Sequence, residues 1–252
     1  MKFTRPNTLY FDSVTSTNDV LRQLAQSGAP DGTAVVAGAQ TAGRGRMGRT
    51  FQSPAGLGLY LSVLYRPEIQ SEKLLPLTAW GAAAVCRALE ELIGTAPQIK
   101  WPNDLVMGGR KIGGILTESA LCADGTTEYV ILGAGINVRQ SAEDFCGPVK
   151  NMAASLAMLG YQVELFSLAN SLLCKLHPLS DFKNLLEYYS SHCLTVNQKI
   201  VIMSTNETAD ALCIDPQYGL QVRYDDGRED TLRCGEVSVR GLYGYTESEG
   251  IR

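Results

Sequence analysis

Hydrophobic positions along the first two thirds of the chain follow helical spacing in some stretches and strand-like spacing in others. A helix is predicted to begin at Ser16, because this hydroxyl residue is followed by Asp19 and then by an apolar stripe. Residues 72–94 are apolar on all sides, which predicts a long buried helix. Further helices are predicted at about 151–160, 164–177 and 182–193. Apolar runs rich in branched residues predict strands at 33–38, 57–64 and 129–138, and a hairpin formed by 105–107 and 110–118.

From about residue 196 the pattern changes to short alternating runs. Strands are predicted at 199–203, 209–214, 220–224, 228–233 and 237–240. Several short strands at close spacing are typical of a small β-barrel. We therefore expect a larger domain over residues 1–194 and a small β domain over residues 195–252.

Composition places the chain among ordinary folded proteins. It has 252 residues, with 22 Lys and Arg against 26 Asp and Glu, and this net charge of −4 argues against a general nucleic-acid binder. The 45% of hydrophobic residues excludes a disordered chain. The N-terminus lacks the apolar stretch of a signal peptide, and no apolar run could span a membrane. Seven widely spaced cysteines without a CxxC pair indicate reduced thiols, so we expect a cytoplasmic protein.

One window of the sequence contains arginines but no acidic residue. No Asp or Glu occurs from Gly32 to Pro67, and the centre of this window, residues 43–50, reads GRGRMGRT. Glycines expose backbone N–H groups to a ligand, and arginines donate fork-shaped hydrogen bonds to carboxylates and phosphates. The window therefore predicts a loop that binds an anion. A solvated basic surface loop is the alternative.

The same loop nearly matches two nucleotide-binding motifs, and we reject both. Gly43, Gly45 and Gly48 satisfy GxGxxG, and the surrounding residues approach the phosphate-binding P-loop. Both motifs require a helix to begin directly after the glycines. The segment 51–56, FQSPAG, does not favour a helix.

A second group of candidate residues lies in the sequences KWPND (100–104) and RKIGGI (110–115). Lys111 precedes a glycine pair within a strand, and such glycines often mark the close approach of a ligand. A lysine beside this gap can reach a bound carboxylate or phosphate. Asp104, next to Asn103, can bind Mg²⁺ or orient an incoming amine. The alternative is a solvated lysine and a turn-forming Asn-Asp pair.

Six short motifs follow one another along the chain. They are Ser16-Thr17-Asn18, GRGRMGR at 43–49, KWPND at 100–104, RKIGGIL at 110–116, GAGIN at 133–137 and GEVSVR at 235–240. In this order and spacing they resemble the motifs of biotin protein ligases, and the resemblance covers about residues 8–242. It implies an α+β fold, in which a mixed β-sheet flanked by helices, of the class II synthetase-like type, precedes a small C-terminal SH3-like β-barrel.

The resemblance implies a two-step reaction. Biotin and ATP give biotinyl-5′-adenylate and pyrophosphate, and the biotin then passes to one lysine of a biotin carboxyl carrier domain, in acetyl-CoA carboxylase or a related carboxylase. ATP and biotin are thus the implied substrates, and Mg²⁺ is the implied cofactor. Because Ser16 lies near the start, we expect no preceding winged-helix domain and no DNA binding. We also expect no membrane binding, and a monomer or homodimer.

The resemblance also implies roles for particular residues. Lys111 and Arg46 are the implied catalytic cations, and Asp104 is expected to orient the acceptor lysine. The implied biotin pocket consists of Ser16, Thr17, Asn18, Gln40, Arg44, Gly45, Arg46, Lys111 and Gly114. The implied nucleotide contacts are Arg46, Arg49, Phe51, Asn103, Lys111, Asn137 and Arg240.

Three positions depart from the family pattern, and three alternatives stay open. Gln52 stands where an aromatic residue is frequent. Phe51 stands where a tryptophan is common, which keeps a smaller stacking face for adenine, and Met47 interrupts the basic residues of the loop. A lipoate or octanoate ligase is the alternative within the fold, although the arginine pair, three-glycine run and His-Asp of those relatives are missing. The others are a nucleic-acid-binding module that uses the GRGRMGR loop and a relative that binds biotin without catalysis.

Overall fold

The computed structural model describes residues 7–66, 74–177, 184–239 and 242, and a mixed β-sheet is its largest element. The strands of this sheet are β1 (Thr8–Phe11), β2 (Ala34–Ala37), β3 (Gly58–Tyr65), β4 (Gln98–Lys100), β5 (Asp104–Met107), β6 (Arg110–Leu121) and β7 (Thr127–Asn137). Their order is β1-β2-β3-β7-β6-β5-β4. β1 runs parallel to β2, and all other neighbours are antiparallel.

Helices cover both faces of this sheet. They are α1 (Thr17–Gln26), α2 (Leu74–Ile93), α3 (Leu165–Leu176) and α4 (Leu185–His192). α2, α3 and α4 contribute to the main hydrophobic core, whereas Leu21 and Ala25 of α1 meet Leu64 and Ile131 in a separate buried cluster. Since successive strand residues point to opposite faces, the two clusters lie on opposite sides of the sheet. This double cover explains why every residue of β3 is buried.

A second, antiparallel sheet follows. Its strands are β8 (Lys199–Ile202), β9 (Glu207–Ile214), β10 (Leu220–Tyr224), β11 (Glu229–Leu232) and β12 (Val237–Val239), in the order β11-β10-β9-β8-β12. Ile200 and Leu220 belong to the same buried cluster as Ile99 and Trp101 of the first part. The Trp101 indole N–H also donates a 3.0 Å hydrogen bond to the Tyr218 carbonyl. The second sheet is therefore packed firmly against the KWPND segment, and the domain boundary near residue 194 stays a prediction.

The predicted α+β architecture is confirmed. The helices predicted at 72–94, 164–177 and 182–193 are present, although residues 72–73 and 182–183 lie outside the described part of the chain. The sequence pattern does not predict β1 or β4, which are short, and β1 carries consecutive exposed apolar residues instead of an alternating pattern. Among the described helices, none combines the length and the apolar character needed to cross a bilayer.

The helix predicted at 151–160 is wrong. This segment consists of turns and extended backbone, and only Ala157–Leu159 form a short 3-10 turn. The Lys111 N–H donates to the Met152 carbonyl at 2.8 Å, and the Ala154 N–H donates to the Lys111 carbonyl at 2.9 Å. These backbone groups pair with the start of β6, so they are not available for the i to i−4 bonds of a helix.

The turn after β9 contains the Tyr218 carbonyl, which accepts the hydrogen bond from the Trp101 indole N–H. Asp215 is 5% exposed and accepts hydrogen bonds from the backbone N–H groups of Gln217 and Gly219 at 2.8 and 2.9 Å. It also forms a 2.6 Å ion pair with Arg233. Burial alone would raise the pKa of the Asp215 carboxyl, but these hydrogen bonds hold that pKa below its ordinary value.

Replacing Asp215 with Asn should lower the free energy of unfolding at neutral pH by about 1–3 kcal/mol, because buried donors lose a charged partner. The folded-state pKa is lowered, so this stabilisation is present above about pH 4 and is lost as the pH falls through the folded-state value. In urea unfolding, the difference in free energy of unfolding between wild type and Asp215→Asn should therefore become smaller at acidic pH. The exposed Asp210→Asn is the control, and a pH-independent difference would contradict this assignment.

Candidate active site

The sheet face covered by α1 lacks side chains toward one end. Residues paired across strands lie on the same face, and Gly135 of β7 pairs with Gly114 of β6, which pairs with Asp104 of β5. Gly133 lies two residues from Gly135 and so shares this face. Gly114, Gly133 and Gly135 form a strip of bare backbone, which we call the glycine floor.

Two side chains pack directly on the glycine floor. An added Cβ on Gly133 would lie 2.4 Å from Asn18 Oδ1, and one on Gly135 would lie 2.7 Å from the Phe51 ring. Both distances are shorter than real Cβ contacts, so glycine is required at these positions for the observed packing. The start of α1 and the segment that follows the arginine loop therefore meet on β7.

Lys111 and Asp104 form an ion pair beside Gly114. Lys111 Nζ lies 2.5 Å from Asp104 Oδ1, and the two side chains are 31% and 16% exposed. A bulge in β6 shifts the register so that Lys111 pairs with Val106, and this places Lys111 on the same face as Asp104. An added Cβ on Gly114 would make only ordinary contacts, 3.7 Å from Lys111 Cε, so Gly114 is not required by packing within the protein.

The first turn of α1 contributes a cluster of buried polar groups. Gln40 Oε1 accepts hydrogen bonds from the Thr17 backbone N–H at 2.9 Å and from its hydroxyl at 3.2 Å. Ser62 Oγ lies 2.6 Å from both Thr17 Oγ1 and Asn18 Oδ1. Ser16 is also buried, but its hydroxyl makes no capping bond with the helix, contrary to the predicted cap. The cluster is therefore organised by tertiary contacts.

Arg44 of the predicted anion loop is paired with two acids beside the first turn of α1. Its guanidinium lies 2.7 Å from Asp19 Oδ1 and 3.0 Å from Glu118 Oε2. Glu118 also accepts hydrogen bonds from Asn18 at 2.7 Å and from Arg22 at 3.0 Å. Glu118 thus ties the arginine loop to the polar first turn of α1.

The other arginines of the loop reach toward the second sheet. Arg46 donates to Asn103 Oδ1 at 3.1 Å and to the Gly235 carbonyl at 3.0 Å. Arg49 forms a 2.6 Å ion pair with Glu236. The loop arginines therefore connect β6 and the segment before β5 with the segment that leads into β12.

The backbone of the loop confirms that no α-helix follows its glycines. Arg46–Gly48 form a single 3-10 turn, within which Met47 has a φ of 54° and Gly48 a φ of 74°. The Gly45 N–H donates to the Arg49 carbonyl at 2.7 Å, which closes the turn on itself. The rejection of both nucleotide-binding motifs is thus borne out by the local structure.

Lys100 adds a fourth cation, after Lys111, Arg46 and Arg49, close to this site. Burial lowers the pKa of its ammonium group, whereas the nearby carboxylates of Asp104 and Glu236 act in the opposite direction. Lys111 and Arg49 lower the pKa further by charge repulsion. The region is therefore a cluster of cations on which bound negative charge is favoured.

The segment after β7 connects Lys111 with Asn137. The Leu156 N–H donates to the Asn137 carbonyl at 3.1 Å, and Asn137 Nδ2 donates to the Ala154 carbonyl at 3.3 Å. Because Ala154 also pairs with the backbone of Lys111, one segment positions both residues.

The structure brings most of the sequence-predicted residues together around the glycine floor. Arg44 pairs with Asp19 and Glu118 beside Asn18, and its place in the biotin pocket stays a prediction. Arg240 lies outside the described residues. Sequence reasoning missed Ser62 and Glu118. Ser62 is a polar residue within an otherwise apolar strand and was visible as such, whereas Glu118 lies in a strand that contains several polar residues.

Comparison with known proteins agrees with this geometry. Residues 10–137, half of the chain, match the family described as the biotin/lipoate A/B protein ligase family. The chain belongs to this family.

Particular relatives are biotin ligases. The chain is 44% identical over 149 residues to a bifunctional ligase/repressor BirA of Bacillus subtilis, an alignment covering 59% of this chain and 46% of that protein. It is 39% identical over 155 residues to a biotin–[acetyl-CoA-carboxylase] ligase of Mycobacterium tuberculosis, covering 58% and 53%. The chain thus spans about half the length of the curated relatives it matches.

Solved structures match over nearly the whole chain. A biotin protein ligase from Aquifex aeolicus in complex with biotin and ATP superimposes with a TM-score of 0.77 and 28% identity, covering 94% of this chain and 99% of that one. A biotin protein ligase from Leishmania major in complex with biotinyl-5-AMP gives a TM-score of 0.62 and 26% identity, covering 90% and 99%.

Glu118→Gln should release the arginine loop, because it removes a charge that accepts hydrogen bonds from Arg44, Arg22 and Asn18. A loss of about 1 kcal/mol corresponds to roughly a fivefold increase in loop opening. Limited trypsin digestion should therefore cleave after the loop arginines about fivefold faster than in wild type. Glu164→Gln, which removes an exposed ion pair with Arg139, is the control. Equal cleavage rates in Glu118→Gln and wild type would contradict the role of Glu118.

Proposed function

We propose that this protein is a biotin–protein ligase, which activates biotin with ATP and transfers it to a lysine of a biotin carboxyl carrier domain. The observation that carries the proposal is that one sheet face combines a buried polar cluster, an arginine loop and the Lys111–Asp104 pair around a glycine floor. Family membership and the relatives support it. We place the reaction in the cytoplasm, where the seven free thiols of the chain stay reduced.

The polar cluster on α1 suits the ureido ring of biotin. That ring presents both N–H donors and a carbonyl acceptor, which hydroxyl and amide side chains can satisfy. The proposed biotin contacts are the side chains of Ser16, Thr17, Asn18 and Gln40 and the backbone groups of Gly45 and Gly114. Arg44 is proposed to line the pocket as the sequence implies, with its guanidinium held by Asp19 and Glu118.

The cations at the other end of the floor suit the adenylation step. The biotin carboxylate oxygen attacks the α-phosphorus of ATP, an acyl phosphate bond forms, and pyrophosphate leaves with the bonding electrons. Two anions approach one another in this step, so fixed cations lower its barrier. Lys111 and Arg46 are the proposed catalytic cations, and Arg49, Asn103, Phe51, Asn137 and Arg240 are the proposed additional nucleotide contacts.

The acceptor lysine completes the reaction. Its neutral amine attacks the carbonyl carbon of the adenylate, an amide bond forms, and AMP leaves as the C–O bond breaks. Asp104 is positioned beside Lys111 and is proposed to orient the amine and accept its proton.

Mg²⁺ fits the site only in company with the nucleotide. Within the described ranges, no group of three or more His, Cys, Asp or Glu side chains could hold a metal ion. Mg²⁺ commonly binds through one or two carboxylates and substrate phosphates, so Asp104 and the triphosphate are a sufficient ligand set. When bound, the ion would neutralise the departing pyrophosphate.

A lipoate or octanoate ligase is the alternative within the same family. The buried hydroxyl and amide groups of Thr17, Asn18 and Ser62 argue against it. The dithiolane ring of lipoate and the alkyl tail of octanoate make no hydrogen bonds with hydroxyl or amide groups, so a pocket lined by such groups favours a ligand with a polar ring.

Exchange of labelled pyrophosphate into ATP tests the proposed function. We expect exchange that depends on biotin and is negligible with lipoate or octanoate at equal concentration. Exchange that depends on lipoate or octanoate would assign the protein to the lipoate or octanoate ligases. If none of the three acids supports exchange, ligase activity is rejected.

Lys111→Ala should reduce the rate of biotin-dependent exchange by about 10²–10³, because a preorganised cation is lost from the transition state. Biotin binding, measured by calorimetry, should persist. Lys199→Ala removes a lysine that pairs with Asp225 in the second sheet and is the control. Near-normal exchange by Lys111→Ala would contradict the catalytic role.

Arg46→Ala should release activated biotin more readily, because the variant loses the bonds that join the loop to Asn103 and Gly235. Biotin on the lysines of an added bystander protein, detected by streptavidin blotting, should increase. An unchanged level would show that the loop does not retain the adenylate.

A further inference from the structure

Tyr189 of α4 is a buried tyrosine that the proposed mechanism does not use. It is 1% exposed, and its ring meets the ring of Tyr218 edge-on, with 5.7 Å between the centroids. Its hydroxyl donates a 2.9 Å hydrogen bond to the Pro102 carbonyl, a group that can only accept. Because the ring is held by its helix and by this packing, Tyr189 is the fixed partner, and the Pro102 carbonyl is the group that it holds.

Pro102 lies in the three-residue turn, residues 101–103, that connects β4 with β5. At the start of this turn, the Trp101 N–H donates to Thr195 Oγ1 at 3.0 Å, and the Trp101 indole N–H donates to the Tyr218 carbonyl at 3.0 Å. The segment after α4 and the second sheet therefore hold the start of the turn, and α4 holds its middle.

One peptide group in this turn is held at both ends. The Pro102 carbonyl and the Asn103 N–H belong to the same planar group. The carbonyl accepts from Tyr189, and the N–H donates to the Lys100 carbonyl at 3.1 Å. Rotation of this group would change the φ angle of Asn103 and, with it, the direction of the Asn103 side chain. The Tyr189 hydroxyl therefore helps to fix that direction.

The Asn103 side chain connects the turn with Arg46. The Ile115 carbonyl can only accept, so the group that faces it at 2.9 Å is Asn103 Nδ2. Asn103 Oδ1 accepts a 3.1 Å hydrogen bond from Arg46, whose second acceptor is the Gly235 carbonyl at 3.0 Å. A displaced Asn103 would thus deprive the Arg46 guanidinium of one of these two acceptors.

We propose that Tyr189 is a positioning residue for Arg46. It acts through the Pro102–Asn103 peptide group, which keeps Asn103 Oδ1 in place for the guanidinium. A cation stabilises a transition state most effectively when its position is fixed before the reaction begins. This inference rests on the proposed function, in which Arg46 is a catalytic cation.

Tyr189→Phe removes the hydroxyl and keeps the ring. We expect the kcat of biotin-dependent pyrophosphate exchange to fall about tenfold, with the KM for biotin within about twofold of wild type, because a displaced cation weakens the transition state more than it weakens binding of the biotin ring. The rate is expressed per active site, counted by the burst of pyrophosphate released when the adenylate forms, so a loss of folded protein does not lower it.

Tyr188→Phe is the matched control, since it makes the same change one residue away, where the hydroxyl lies 3.4 Å from Glu90 Oε2 at the surface. It should keep the wild-type kcat. An unchanged kcat in Tyr189→Phe would overturn the proposal. Absence of exchange by the wild-type protein would instead reject the proposed function, which is a different result.

A double-mutant cycle separates positioning of Arg46 from a merely structural role. In the Arg46→Ala background, Tyr189→Phe should lower kcat by less than about twofold further, because the cation that it positions is already absent. A further loss of about tenfold in that background would show that Tyr189 acts independently of Arg46, and would overturn the proposal.

Discussion

The site depends on the close approach of side chains to bare backbone. Gly133 and Gly135 lie at the end of β7 where the buried cluster under α1 stops, and Asn18 and Phe51 pack onto them at distances that no Cβ would permit. This contact fixes the first turn of α1 and the exit of the arginine loop relative to the same strand. The sheet thus provides a rigid surface, and packing against this surface fixes the positions of the polar groups around it.

Charge pairing gives the loop its second constraint. The window between Gly32 and Pro67 contains no acidic residue, so its arginines pair with acids from other segments. Arg44 pairs with Glu118 in β6, and Arg49 pairs with Glu236 before β12. The loop is therefore fastened to both sheets, which share one core. In this arrangement, the second sheet contributes to the site through backbone and carboxylate groups that face the loop.

Much of the fold and of the candidate site could be predicted from the sequence, because strong apolar patterns and glycine-arginine motifs determine them locally. The helix predicted at 151–160 fails because its backbone groups pair with Lys111, a partner far away in sequence. Arg44 is predicted to line the biotin pocket, and the fold adds its pairing with Asp19 and Glu118, which no local pattern indicates. Ser62 and Glu118 were missed for the same reason, since their roles come from tertiary neighbours.

A crystal structure of the protein with biotin and a non-hydrolysable ATP analogue is the most direct measurement of whether the glycine floor is the ligand site. The account predicts density for the biotin ring beside Thr17 and Asn18, with the carboxylate and the α-phosphate meeting over Gly114 near Lys111. Density for both ligands at any other surface, with Asn18 and Phe51 unmoved on the floor, would contradict it.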